Sequence, residues 1–359
     1  MKITVFLLII VVIIPLFSVK ISAQEQIDGF LSDFEDILPE GISKDILDTD
    51  RLIETASLRG LLSEILSAAQ GSGSAAFGFF LTLVGITLLL SLSSICHERL
   101  AKQTEAGVSM VCSVVIFGSV RPLFDTVTKS LTEVSNFFSA LIPISVGMTA
   151  LGGAEATAGV QASGMYLTLS IVSSLGGRAL VSVSTLGLAM ALLSSLGSDA
   201  AASLGRGVKS LFYWAVGIIT ALISGAFSLQ TAIASSADSA AMRAAKYLAS
   251  GLIPVVGSTV SGALATLVSG ISYAKTVVGG GSIVVLLLLA LAPLVMLLLF
   301  RLALSVAIAL AGLTGAGGAE RLFSAYRLSL DMATSVYALS WLVYLFEIIL
   351  FLRMGVAFL

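Results

Sequence analysis

The sequence predicts an all-α, polytopic integral membrane helical bundle of about eight transmembrane segments, behind a signal peptide and a short amphipathic leader. Three observations carry that expectation. Of 359 residues, 57% are hydrophobic and only 11% charged, against about 25% charged in soluble domains. The mean hydropathy is +1.06, so too few charges remain to coat a water-facing exterior. The apolar residues also come in runs near the roughly 20 residues a helix needs to cross the hydrocarbon core. These runs do not alternate with period two, so a barrel does not fit. Lipid permits no other spanning backbone.

The chain opens MKITVFLLIIVVIIPLFSVKISA. Lys2 is a minimal basic start, residues 3–14 are an apolar stretch, Pro15 breaks it, and Ser22-Ala23 suits cleavage. Residues 1–23 therefore read as a signal peptide. An uncleaved anchor is the alternative, and both place Gln24 onward on the non-cytoplasmic side. Residues 24–74 form an acidic amphipathic extracytoplasmic region; up to residue 70 it carries 11 acidic and 3 basic side chains. Ile27, Phe30, Leu31, Phe34, Ile37 and Leu38 recur at helical spacing, giving one apolar face. That helix should end at Leu38-Pro39-Glu40-Gly41, and a second amphipathic stretch follows over about 45–69. So short a region buries little core alone. It is expected on the membrane surface or against a partner, the alternative being a solvated leader.

Residues 75–359 are the polytopic transmembrane domain. Gly71-Ser72-Gly73-Ser74 reads as a flexible linker into a first span over about 75–95. A charged turn around Cys96-His97-Glu98-Arg99 leads to a span over 106–120. In the next stretch, 121–136, Arg121, Asp125, Lys129 and Glu133 fall at i, i+4 with alternating sign, so they can pair along one helix face. Further apolar runs cover 137–153, 159–177, 179–197, 211–229, 248–271, 281–300, 301–313 and 332–352. Several are short or back to back, so not all need span. Loop Lys and Arg residues are too evenly spread to set the topology.

Leu141-Ile142-Pro143 is echoed by Leu252-Ile253-Pro254, each after a charged amphipathic stretch and an apolar span. The shared order suggests a duplication, with repeats over 106–200 and 211–318, of the kind found in transporter-like folds. The alternative is two unrelated Pro kinks. After Gly257, a stripe of Ser258, Gly262, Thr266 and Gly270 suits close helix packing first and pore lining second. Arg243 and Lys246 share a helix face, with Asp238 too far back to pair well; they suit partner or headgroup contact, or plain snorkelling. Glu347 sits inside a strong apolar run, where an ionisable group needs a partner, water or a role. Arg301 is its nearest candidate partner in kind. Pro143, Arg243, Lys246, Pro254, Gly257, Gly262 and Glu347 are thus the candidate packing and partner contacts.

No catalytic constellation is visible, and no cofactor or metal is expected. His97 is the sole histidine and the two cysteines, Cys96 and Cys112, cannot make a disulfide framework. Gly279-Gly280-Gly281-Ser282 and the Gly312 to Gly318 patch lack the Lys-Ser/Thr of a phosphate loop and read as loops or hinges. Net charge is −2 with no basic cluster, which argues against nucleic-acid binding. The expectation is a non-enzymatic membrane protein.

The region from about Gly205 to Gly318 resembles the stage III sporulation protein AE family of endospore-forming bacteria. Gly225-Ala-Phe-Ser228-Leu-Gln230, Arg243-Ala-Ala245-Lys246-Tyr247, Leu252-Ile253-Pro254-Val255-Val256-Gly257 and Lys275-Thr-Val-Val-Gly279 carry the resemblance. The leader and the first Leu-Ile-Pro segment extend it weakly over the rest. The resemblance implies a membrane component of the channel complex that links mother cell and forespore and supports late forespore development. It implies a multi-pass protein of the mother-cell membrane around the forespore, with other proteins of the stage III operon and a forespore channel partner beside it. A self-sufficient secondary transporter for a small solute is the competing expectation.

Overall fold

A computed structural model of the chain describes residues 29–39, 42, 58–93, 101–174, 178–195, 199–252 and 257–353. The segment read as a signal peptide lies outside them. Eight helices make up the described residues. They are α1 (29–36), α2 (Leu58–Ser93), α3 (Ala101–Leu151), α4 (Glu155–Ser174), α5 (Leu180–Ser195), α6 (Asp199–Leu252), α7 (Gly257–Leu313) and α8 (Gly317–Arg353). Five of them, α2, α3, α6, α7 and α8, hold stretches long and apolar enough to cross a membrane.

Among the described residues, neighbouring apolar runs fuse into these longer helices. The runs 106–120 and 137–153 and the charged stretch between them are one helix, α3, which carries Pro122 and Pro143 inside it. Both prolines sit on its exposed side, so neither ring displaces a packed neighbour. The runs 281–300 and 301–313 likewise merge in α7. Gly71 to Ser74 is helical within α2, not a linker, and Gly279 to Ser282 is helical within α7, not a hinge. At Gly279 the reason is close approach: a Cβ there would overlap the Leu352 side chain of α8. At about 1.5 Å per residue, the 57 residues of α7 run to about 85 Å, well beyond the roughly 30 Å of a hydrocarbon core.

Two turns among the described residues are set by positive φ. Gly153 (φ 78°) ends α3 and Gly315 (φ 68°) ends α7, each in the left-handed region that glycine enters freely. Ala154 N–H donates to Thr149 O and Ala316 N–H to Ala311 O, at 3.3 and 3.0 Å, closing both helix ends. Glu155 and Glu320 stand in the first turns of α4 and α8, and Arg353 in the last turn of α8, each favourable to the helix dipole.

Cross-contacts fix the directions. Residue numbers rise together from Ser113–Tyr326 to Ser135–Tyr344, so α3 and α8 run parallel. They run oppositely from Arg301–Asp331 to Leu286–Trp341, so α7 is antiparallel to α8. Gln230 meets Glu347, and Phe227 stacks on Phe346, while Gly164 of α4 lies against Gln230 and Val183 of α5 against Ser329. The pair α4–α5 thus makes one traverse in two halves, opposite in direction to α8.

Two apolar cores are stacked along these helices. One gathers α2, α5, the first part of α3 and α8 and the last part of α7, with Phe79 stacked on Phe300. The other gathers α1, α4, α6, the far part of α3 and α8 and the near part of α7. The first leader helix, α1, therefore packs on its own chain. Phe34 is fully buried, edge-on to Phe137 at 6.3 Å, and Phe30 lies over Gly147, where a Cβ would come within 2.8 Å of its ring. Phe34→Ala should remove about 3–5 kcal/mol of local packing and free the leader. A spin label at Ser32, exposed on α1, should then become markedly more mobile; a wild-type spectrum would show that Phe34 does not hold the helix.

Candidate functional site

One face of α8 is a buried polar seam. Tyr326, Ser329, Tyr337, Ser340, Tyr344 and Glu347 are all buried. Their spacings of 3, 8, 3, 4 and 3 residues keep them near one stripe of a 3.6-residue helix. Three tyrosines reach to three serines of α3. Tyr326 donates to the Ser113 carbonyl at 2.6 Å. Tyr337 and Ser130 share a bond of 3.0 Å, and Tyr344 and Ser135 one of 2.9 Å. The seam also ties in other helices: Ser329 donates to Val183 O of α5 at 2.8 Å, and Trp341 Nε1 to Leu286 O of α7 at 3.1 Å. Buried hydroxyls need such partners, and in a bundle each bond also fixes helix register.

At one end of the seam lies Glu347, 1% exposed. Gln230 Nε2 of α6 donates to its Oε1 at 3.2 Å, and Oε2 has no hydrogen-bond partner. The Gln230 amide fits because Gly164 leaves room: a Cβ there would overlap it. One turn along, Phe351 faces Lys275 of α7, whose Nζ lies 4.7 Å from the ring centroid. Lys275 is itself 3% exposed, and a desolvated cation gains most from an aromatic face. A carboxyl and an ammonium group are therefore both enclosed in the second core. Among the described residues no three His, Cys, Asp or Glu side chains gather as a metal site.

The polar face of α3 is the opposite case. Arg121, Asp125 and Glu133 are exposed, as is Lys129, and Lys129 Nζ lies 3.9 Å from Glu133 Oε1. Leu123, Val127, Leu131 and Val134 on the other face are buried. The charges thus point away from the bundle, at the depth where Tyr337 and Tyr344 point into it.

The family model for stage III sporulation protein AE matches residues 43–356. The chain belongs to the stage III sporulation protein AE family. Stage III sporulation protein AE of Bacillus subtilis (strain 168) is 22% identical over 209 residues, which cover 55% of this chain and 50% of that relative. The match thus spans about half the relative's length. No solved structure matches. The family region takes in α2 to α8 and with them the whole seam, whereas α1 lies before it.

The expected contact residues scatter within this member of the family. Glu347 joins the seam, but Arg301 is not its partner. Arg301 pairs with Asp331 of α8 instead, because antiparallel packing puts Glu347 level with the other end of α7. Pro143 is exposed in an unbroken stretch of α3, so the first Leu-Ile-Pro segment does not break its helix. Pro254 lies outside the described residues. Gly257 opens α7. Arg243 and Lys246 fall on the far part of α6 and Gly262 on the start of α7, with side chains outside the described residues. Gln230 entered the sequence analysis as part of a family motif and not as a contact, and the three tyrosines did not enter it; intervals of 11 and 7 from Tyr326 to Tyr337 to Tyr344 were the available signal.

Proposed function

We propose that this chain is a structural subunit of the channel complex that joins mother cell and forespore, seated in the mother-cell membrane around the forespore. Family membership supports a sporulation role. The observation that carries the finer reading is the outward charged strip of α3. A self-contained transporter turns its polar groups toward its own centre, and lipid disfavours exposed charges by roughly 2.5–3.5 kcal/mol each at mid-depth. A strip of Arg121, Asp125, Lys129 and Glu133 facing away from an apolar bundle suits neighbouring subunits or an aqueous path between them. Other membrane proteins of the stage III operon and a forespore channel partner are the natural neighbours.

Affinity purification of the tagged chain from sporulating cells tests this. Other stage III proteins should be recovered with it. The double reversal Arg121→Glu with Lys129→Glu should lower their recovery and the spore yield by about tenfold or more, as like charges replace complementary ones, while the protein stays inserted and abundant. Wild-type recovery would sink the reading. The buried Glu347–Gln230 pair favours a second one, a transporter for a small solute that works alone. Solute uptake by vesicles holding this protein alone would establish it.

A further inference from the structure

Between α5, α6 and α8, at the end where the α5–α6 and α7–α8 connections lie, is a cavity of about 570 Å³. Its charged lining is Arg206, Lys209, Glu320, Arg321, Arg327 and Asp331. Two of these are already committed: Asp331 to Arg301, and Arg321 to Glu105 with Nη2 3.3 Å from Oε1. Arg206, Lys209 and Arg327 make no salt bridge among the described residues. Three cations therefore share one cavity with a single uncommitted carboxylate, Glu320. Arg206 and Lys209 are three apart on α6 and so share a face; Arg327 comes from α8. Arg206 and Lys209 are exposed and Arg327 half-buried; three like charges gathered at one recess favour an anion there, and arginine offers the forked contact that suits phosphate oxygens.

The surroundings say which kind of anion. Met190, Ala325 and Leu328 line the same cavity. Leu193, Leu204 and Leu211 stand exposed on α5 and α6 beside it. A charged recess flanked by an outward apolar wall matches an amphiphile with its phosphate inside and its chains along the helices. The volume falls within the roughly 300–1,000 Å³ of small-molecule sites. Basic pockets between membrane helices are a known physical solution for anionic headgroups.

We propose that this cavity binds the phosphate of an anionic phospholipid, held by Arg206, Lys209 and Arg327. The full chain, purified in neutral detergent and delipidated, is titrated with phosphatidylglycerol or phosphatidylcholine and read by native mass spectrometry. Phosphatidylglycerol should bind about tenfold or more tightly than phosphatidylcholine. The combined change Arg206→Ala, Lys209→Ala and Arg327→Ala should erase that preference, while Arg353→Ala, at the opposite end of α8 from the cavity, should keep it. Inorganic phosphate and glycerophosphoglycerol separate the two sources of the ligand. Displacement of the lipid by either one assigns the site to the phosphate group alone; lipid binding that neither displaces assigns it to the whole phospholipid. If the triple variant does not fold, Arg327→Gln alone and a salt titration of the wild type replace it, and both should weaken the preference. Equal binding of the two lipids overturns the proposal, as does a preference that survives loss of the three cations or is indifferent to salt.

Discussion

Gly187→Leu should pry α5 from α8 and lower the stability of the bundle. An ideal Cβ at Gly187 would come 2.6 Å from Cβ and Oγ of Ser329. Ser329 is buried and spends its hydroxyl on the Val183 carbonyl one turn away on α5. A leucine must therefore push the helices apart and break that bond as it does so. Overpacking of a tight contact costs about 1–3 kcal/mol and the lost bond about 1 more. Leucine also forms helix better than glycine by somewhat under ~1 kcal/mol, which works the other way. Gly217→Leu isolates that term, since nothing lies within 4 Å of a Cβ at Gly217. Thermal unfolding in detergent should show a lower midpoint for Gly187→Leu and an unchanged or slightly higher one for Gly217→Leu. Equal midpoints would mean that α5 does not pack on α8 as described.

The second large effect is expected at Gln230. Gln230→Leu leaves Glu347 buried with neither oxygen bonded, where the wild type leaves only Oε2 so. The loss of the last donor to a buried carboxyl should cost about 1–3 kcal/mol. Glu347→Met removes the acceptor and strands the amide instead. The double variant Gln230→Leu with Glu347→Met replaces both polar groups by apolar ones of similar size. It should regain much of the loss, since a buried polar pair is often dispensable once both members go. A double-mutant cycle read by thermal unfolding should give a coupling of about 0.5–3 kcal/mol. Additivity within about 0.5 kcal/mol would mean that the two side chains do not meet. In cells, the stable double variant should still sporulate if the pair only holds α6 to α8. Loss of sporulation by a stable, abundant protein would move the balance toward ion-coupled transport.

The helical class, the leader face and the glycine turn before α8 could all be read from the amino acids. Phe30, Leu31 and Phe34 show their shared face by spacing alone, and Gly315 its turn by composition. The number of spans could not, because apolar runs announce where lipid or core is tolerated and not where a helix stops. Pro143 and Gly279 look like breaks. Yet Pro143 sits on an exposed side and Gly279 under the Leu352 side chain, and only the neighbours reveal that. Glu347 stood out as an acid in an apolar run, whereas Gln230 did not, since a neutral amide near a span end costs too little to draw notice. The partner of each was set by helix direction. That direction put Asp331 opposite Arg301 and left Gln230 for Glu347.

The tyrosine–serine ladder has a consequence for how the chain is made. Its halves lie 207 to 213 residues apart in sequence. At about 5–20 residues per second, the ribosome reaches Tyr326 on the order of ten to forty seconds after Ser113. Through that interval the serines of α3 have no tyrosine of α8 to meet and can bond back to their own helix, as Ser135 does to Leu131 O at 2.7 Å. Among the described helices, the last to be synthesised, α8, is thus the one that completes the seam. Chains released without α8 would carry an open polar groove, a mark by which membrane quality control could tell unfinished molecules from finished ones.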